Sequence, residues 1–296
     1  MEGRCQTGSV FVSFSLGHFR YAGTIVGTLP RRWTMSADEV RLELHQFRLS
    51  HYNEKVRWAL DVKGVPHKRI SHLPGPHMAA IRKLTGTSET PVVRIGGVVV
   101  AGSADIIDML EGHYPEPPLY PADPGQRRAA LGLQARFDAD VGPAVRRALF
   151  AELVKEPSYL CRIFASGESW VTRTGYRAMM PVVTRVMART METQDPAAVA
   201  AARHATHAAL DRLASLAEPG TYLVGDSFSV ADLTAASLLA PACNPAHPDM
   251  ELPSPRPARI EDWLARWAEH PGAKWVHGIY TRHRPRRVLP LQAAAE

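Results

Sequence analysis

Cysteine is scarce in this chain: there are three in 296 residues, Cys5, Cys161 and Cys243, odd in number and far apart. They form no CxxC pair and no zinc-ligand spacing, which excludes a disulfide scaffold, a dithiol redox centre and a zinc finger. Such usage fits a reducing compartment. Long apolar runs are also lacking. None reaches the ~18 residues a membrane helix needs, so no membrane association and a cytoplasmic location are expected. Aromatics are 7% of the residues, and no Lys/Arg stripe is interleaved with them, so nucleic-acid binding is not supported. The thirteen histidines show no metal spacing. His204 and His207 read as a solvated pair on one helical face, and no metal is expected. Acids are nearly missing from residues 1–34, which hold Arg4, Arg20, Arg31 and Arg32 but only Glu2. Residues 10–16 faintly resemble a signal-peptide core, without a cleavage site after them. Residues 1–38 therefore read as an extension, disordered or upstream of an effective start near Met35, and are left out of the fold.

What remains is globular in composition, 45% hydrophobic and 22% charged, with a net charge of +6 that suits small anionic ligands. From Arg41 to about Glu111, strand and helix signals alternate. Strands are expected at 41–46, 66–72, 91–95 and 97–101, with helices at 51–63, 76–84 and 103–112. Val56, Ala59, Leu60 and Lys63 give the first helix its 3.6-residue period, and Gly64 ends it. Gly96-Gly97 between two β-branched runs reads as a hairpin turn. The order βαβαββα demands a small mixed sheet covered by helices. His113–Pro124 is proline-rich and reads as a linker. Beyond it come Ala/Leu/Arg-rich helical segments at about 125–155, 168–190, 196–217, 229–240 and 260–281, with a proline-dense loop over 241–257. The expected units are 39–113, a linker at 114–124, an all-helical domain at 125–283 and a tail from 284 to 296.

The most informative stretch is Leu42–Leu60, a strand, a tight connection and a helix that begins at Ser50. A helix N-terminus presents free N–H groups and a partial positive charge. Ser50 adds a hydroxyl donor there, and such a place stabilises an anion, a thiolate included. A plain N-cap is the structural alternative.

Four pieces, in order, resemble the cytosolic glutathione transferase superfamily, in the manner of its serine-type bacterial members. Leu49-Ser50-His51-Tyr52-Asn53-Glu54-Lys55-Val56-Arg57 resembles the motif in which a serine opens the first helix. Ser88-Glu89-Thr90-Pro91-Val92-Val93 resembles the family's cis-proline segment. Ala101-Gly102-Ser103-Ala104-Asp105-Ile106-Ile107 resembles its acidic-Ser-x-x-Ile signature. Phe228-Ser229-Val230-Ala231-Asp232-Leu233 resembles its capping box, with Ser229 the cap and Asp232 reaching back. The resemblance implies a thioredoxin-like N-terminal domain (βαβαββα) followed by an all-α C-terminal bundle.

It also implies an activity: binding glutathione or a related small thiol, stabilising its thiolate and conjugating it to a hydrophobic electrophile. Ser50 would donate to the thiolate, with Thr90, Pro91, Gly102 and Ser103 binding the peptide. Glutathione would be a co-substrate, with no cofactor, and a homodimer would be the assembly. Lowering a thiol pKa by ~2 units takes about 2.7 kcal/mol. A hydroxyl bond to an anion supplies roughly 1.5–3 kcal/mol. The helix terminus adds about 0.3–1. Tyr52, Arg136, Phe137, Tyr176 and Met179 are the expected wall of an electrophile pocket. Three departures from the pattern stand out. Thr90 and Glu89 replace commoner residues. Gly102 stands where the family has an acid, and Asp105 falls later and out of register. Ser50 and Asn53 stand where disulfide-exchanging relatives carry cysteine, which disfavours thiol reductase chemistry. Gly102 and Glu89 favour the other reading, a non-catalytic binding or assembly module of the same fold.

Overall fold

The structure, a computed structural model, describes residues 25–26, 42–216 and 221–284. Cys5, most of the 1–38 extension and the tail beyond Arg284 lie outside the described residues.

The alternating region folds as β2 (Leu42–Gln46), α1 (His51–Val62), β3 (His67–Ser71), α2 (His77–Thr85), β4 (Val92–Ile95), β5 (Val98–Ala101) and α3 (Ser103–His113). This is the expected βαβαββα order. With the two-residue strand β1 (Ile25–Val26), the sheet runs β1-β5-β4-β2-β3, with β2 and β3 parallel and the other pairs antiparallel. The extra edge strand β1 (Ile25–Val26) comes from the segment left out of the fold. It pairs with β5, Ile25 facing Val100 and Val26 facing Val99. Two residues carry no alternation to read, so only pairing reveals such a strand. The β4–β5 turn puts Gly96 and Gly97 at φ of 52° and 85°, the left-handed pair that a two-residue hairpin turn requires.

The remainder is helical: α4 (Pro124–Arg136), a π-turn (Phe137–Val141), α5 (Gly142–Leu153), α6 (Pro157–Ala165), α7 (Trp170–Thr190), α8 (Pro196–Leu216), α9 (Val230–Cys243), α10 (Ala258–Ala265) and α11 (Pro271–His283). Four expectations need correction. The segment at 125–155 is interrupted by the π-turn. A separate helix, α6, begins at Pro157. The segment at 260–281 breaks at His270, whose ring caps α11 by accepting the Gly272 N–H at 3.1 Å, with Pro271 at the first helical position. The proline-dense loop starts only at Asn244, because α9 runs through Pro241 to Cys243. None of the helices is long and apolar enough, among the described residues, to cross a membrane.

Helix α9 is buried along its whole length and forms the centre of the helical part. Helix α1 packs against it and against α3. Helix α1 carries four polar side chains, Asn53, Glu54, Lys55 and Arg57, that are all fully buried. Glu54, Lys55 and Arg57 are bonded across the junction between the two parts, to Arg284, Asp138 and Asp249, whereas Asn53 donates to Thr90 within the sheet part. Polar burial of this kind is tolerated only with partners in place.

Candidate functional site

Ser50 is the N-cap of α1. Its backbone is extended (φ −153°, ψ 127°), and its carbonyl accepts the Glu54 N–H at 2.8 Å. Its Oγ accepts the Asn53 N–H at 3.5 Å, longer than the ~2.7–3.2 Å of a normal bond. The cap is loose, and that contact does not use the hydroxyl proton.

The connection carrying Ser50 is held by the fully buried Arg57. Its Nη1 donates to Gln46 Oε1 (2.8 Å) and the Phe47 carbonyl (3.3 Å). Its Nη2 reaches the Ser50 carbonyl (3.5 Å) and the Asp249 carbonyl (3.2 Å), and its Nε pairs with Glu54 (2.8 Å). Arg284 grips the other side of Glu54 at 2.7 Å and also pairs with Asp61 and Asp249. Burial alone would raise the Asp249 carboxyl, but Arg57, Arg69 and Arg284 hold it down at about 2. Glu54, His247 and Asp249 approach one another closely enough to share a metal ion. Arginines already occupy both carboxylates, so the cluster is an ion-pair network instead.

Ser50 opens onto a cavity of about 890 Å³ between the sheet part and the helical part. Thr90, Pro91, Gly102 and Ser103 line it with Ser50. The Thr90–Pro91 bond is cis. Asn53 Nδ2 donates to Thr90 Oγ1 at 3.2 Å, and Gly102 N–H donates to the Pro91 carbonyl at 3.1 Å. Gly102, at φ 95°, is the cap residue of α3, and Ser103 is its first helical residue rather than its cap. A second helix N-terminus thus faces the same space.

The other wall is apolar. Met179 stands there with Val183 and Met187 of α7 and with Leu149, Phe150 and Leu153 of α5. Tyr52 also lines the cavity, but its hydroxyl donates to the Asp138 carbonyl at 2.7 Å. Three expected wall residues are elsewhere. Arg136 is exposed at the end of α4, outside the lining. Phe137 is 2% exposed and sits inside the core, where the π-turn rotates it inward. Tyr176 faces the packed side of α7; its hydroxyl donates to the Pro74 carbonyl at 3.0 Å, and burial pushes its pKa up.

Several residues in or beside the cavity were given no site role by the sequence reading. His51 is buried, with Nε2 donating to the Gly142 carbonyl at 3.0 Å. Burial, with help from the Arg146 charge, pushes it down to about 3, so it is neutral at pH 7. Lys55 donates to Asp138 Oδ2 at 2.6 Å, and both side chains are buried. Asp105, in the first turn of α3, lines the cavity. Burial and the neighbouring Asp108 raise its carboxyl, Lys55 lowers it, and Asp138 raises it again. The π-turn and the first residue of α5 dock α1: Asp138 accepts from Tyr52 and Lys55, and Gly142 accepts from His51. A Cβ on Gly142 would lie 2.3 Å from the Tyr52 hydroxyl oxygen, so a side chain there would displace the Tyr52 ring. Arg146 lines the cavity from α5. The signal for it was its spacing: Arg146, Leu149, Phe150 and Leu153 share one helical face.

The model described as "Glutathione S-transferase, N-terminal domain" matches residues 44–118, and that described as "Glutathione S-transferase, C-terminal domain" matches residues 196–266. The chain is similar to a maleylpyruvate isomerase from Ralstonia sp, 32% identical over 117 residues, which cover 38% of this chain and 55% of the relative. It is similar to glutathione S-transferase 1 from Dianthus caryophyllus, 36% identical over 103 residues, 34% of this chain and 46% of that one. The chain spans about half the length of these curated relatives. Among solved structures, the beta-etherase LigF from Sphingobium sp. strain SYK-6 superposes with a TM-score of 0.59 at 21% identity, covering 81% of this chain and 95% of that one. That likeness concerns the fold.

Proposed function

We propose that this chain, which belongs to the glutathione S-transferase superfamily, binds glutathione or a related small thiol at the Ser50 end of its cavity and presents the thiolate to a hydrophobic electrophile at the other end. One observation carries the reading: the loosely bonded Ser50 hydroxyl, at the N-terminus of α1, opens onto a large cavity with an apolar far wall.

The chemistry follows from that placement. The Ser50 O–H donates to the sulfur, and the dipole of α1 adds to the stabilisation. Thr90, beside the cis-proline, offers backbone groups to an extended peptide. Ser103 and the N-terminus of α3 suit its carboxylate. The thiolate then attacks an electrophilic carbon held against α5 and α7, and proximity supplies much of the rate. Addition without loss of a leaving group, followed by elimination of the thiol, would give isomerisation, the reaction for which the Ralstonia relative is named. A homodimer is proposed with this reading, as the family's usual assembly.

Gly102 favours a second reading, a binding or assembly module, because it offers no acid to a ligand amine. One experiment separates the two. The ultraviolet thiolate band of glutathione is followed against pH with the wild type and with Ser50→Ala. The enzyme reading expects a band with the wild type near neutral pH and a shift of about 1–2 pH units upward in the variant. Absence of any band with the wild type leaves the module.

A further inference from the structure

Arg146 is the feature of the cavity that the thiol chemistry does not use. It stands on α5 at the head of a face continued by Leu149, Phe150 and Leu153, all of which line the cavity. Its side chain is exposed. Among the described residues no carboxylate lies within 4 Å of it, and it makes no hydrogen bond. Among the described residues it is also the only Lys or Arg in the lining. The acids in the same lining are placed otherwise: Asp138 is paired with Lys55, and Glu89 and Asp105 belong to the sheet-and-α3 side. Arg146 therefore faces an apolar wall with five N–H donors uncommitted.

The position along the cavity matters too. Arg146 is one helical turn from Gly142, whose carbonyl takes the His51 bond, and His51 follows Ser50. The cation thus lies toward the sulfur end, and the apolar surface runs away from it along α5 and α7. Met179, Val182 and Val186 extend that surface and are exposed. A solvent-exposed apolar wall headed by one unpaired guanidinium is complementary to an amphipathic anion.

We infer that the apolar half of the cavity takes a carboxylate-bearing hydrophobic molecule, with Arg146 holding the carboxylate and α5 and α7 holding the body. This rests on the proposed function only in naming the occupant as the electrophile, since the binding itself needs no thiol. A carboxylate held there places the carbons next to it closest to the thiolate, so the substrate class is one whose electrophilic carbon lies within a few bonds of its acid group. The carboxylates of glutathione itself are the competing source of the same chemistry.

The test compares 4-phenylbutyrate with 4-phenylbutyramide, a neutral molecule of nearly the same shape, by calorimetric titration of the full chain with and without saturating glutathione. The wild type is expected to bind the acid about five- to tenfold tighter than the amide, with or without glutathione. Arg146→Gln is expected to bring the two to within about twofold while leaving the amide's affinity unchanged, and Arg146→Lys to retain part of the preference. Arg136→Gln, on an exposed residue outside the cavity, should keep all of it. The inference is overturned if the wild type binds acid and amide alike, if it binds neither, or if the preference survives Arg146→Gln. It is also overturned if glutathione abolishes the preference, because the thiol's own carboxylate then fills the place. Failure of glutathione to bind would remove the thiol reading and leave the acid preference standing.

Discussion

Two serines cap helices in this protein, and their surroundings could hardly differ more. Ser229 is 2% exposed and closes a complete capping box at α9. Its Oγ donates to Asp232 Oδ2 at 2.9 Å and accepts the Ala231 N–H at 3.3 Å, while Asp232 also accepts the Ser229 and Leu223 N–H groups. The Ser229 hydroxyl and both Asp232 carboxylate oxygens are thus taken up by partners within the chain. Ser50 has a single long cap contact and faces open space. A closed cap contributes stability alone, whereas a cap left half-made keeps a donor and a helix dipole available to something that is not protein.

The comparison can be broken at four points, taken by expected size. Asp232→Ala leaves two N–H groups and a hydroxyl unpartnered in a buried place and should cost on the order of 3 kcal/mol in urea unfolding. Thiol binding per folded molecule should be unchanged, and its loss would mean that the two caps are not independent. Next comes His51, neutral and buried beside Ser50. Its folded pKa of about 3 lies below its ordinary value of 6.5, so the unfolded chain binds the proton more readily. Stability contributed this way is complete above about pH 6.5 and falls with pH, by about 2 kcal/mol at pH 5. His51→Asn should lose that much less stability between pH 7 and pH 5, measured by urea midpoints at both; equal losses would assign the acid sensitivity to other groups. Ser229→Ala should cost about 1 kcal/mol. Ser50→Ala should cost about 0.5 kcal/mol or less, because the bond it removes is long. A larger loss at Ser50 than at Ser229 would reverse the assignment of roles.

The sequence made the sheet part legible because its signals are local. Two adjacent glycines fix a hairpin, and a serine before a 3.6-residue period fixes a helix start. Pro91 and Ser103 were reachable for the same reason, each marking the end of one element and the beginning of another. The far wall was harder to read. Phe137 and Tyr176 lie in apolar segments whose facing direction depends on which helix packs beside them, and a π-turn changes that direction without a composition signal. Asp138 and Lys55, separated by 83 residues, declare themselves only when the chain is folded. The break at His270-Pro271 was written in the sequence as a cap followed by proline, and the surrounding tryptophans masked it. Arg146 had a visible pattern, a basic residue opening an apolar face, but Arg136 in the neighbouring helix offered the same residue type.

Glu54 sits with no solvent contact between two arginines, one of which is 230 positions further along the chain. During synthesis the first half of the protein leaves the ribosome long before that second guanidinium exists. The helix that carries Ser50 therefore cannot settle in its final form on its own: a fragment ending before residue 284 must either keep this carboxylate wet or bury it with half its countercharge. The maturation of the Ser50 end of the cavity is in this way timed by an amino acid added hundreds of peptide bonds later.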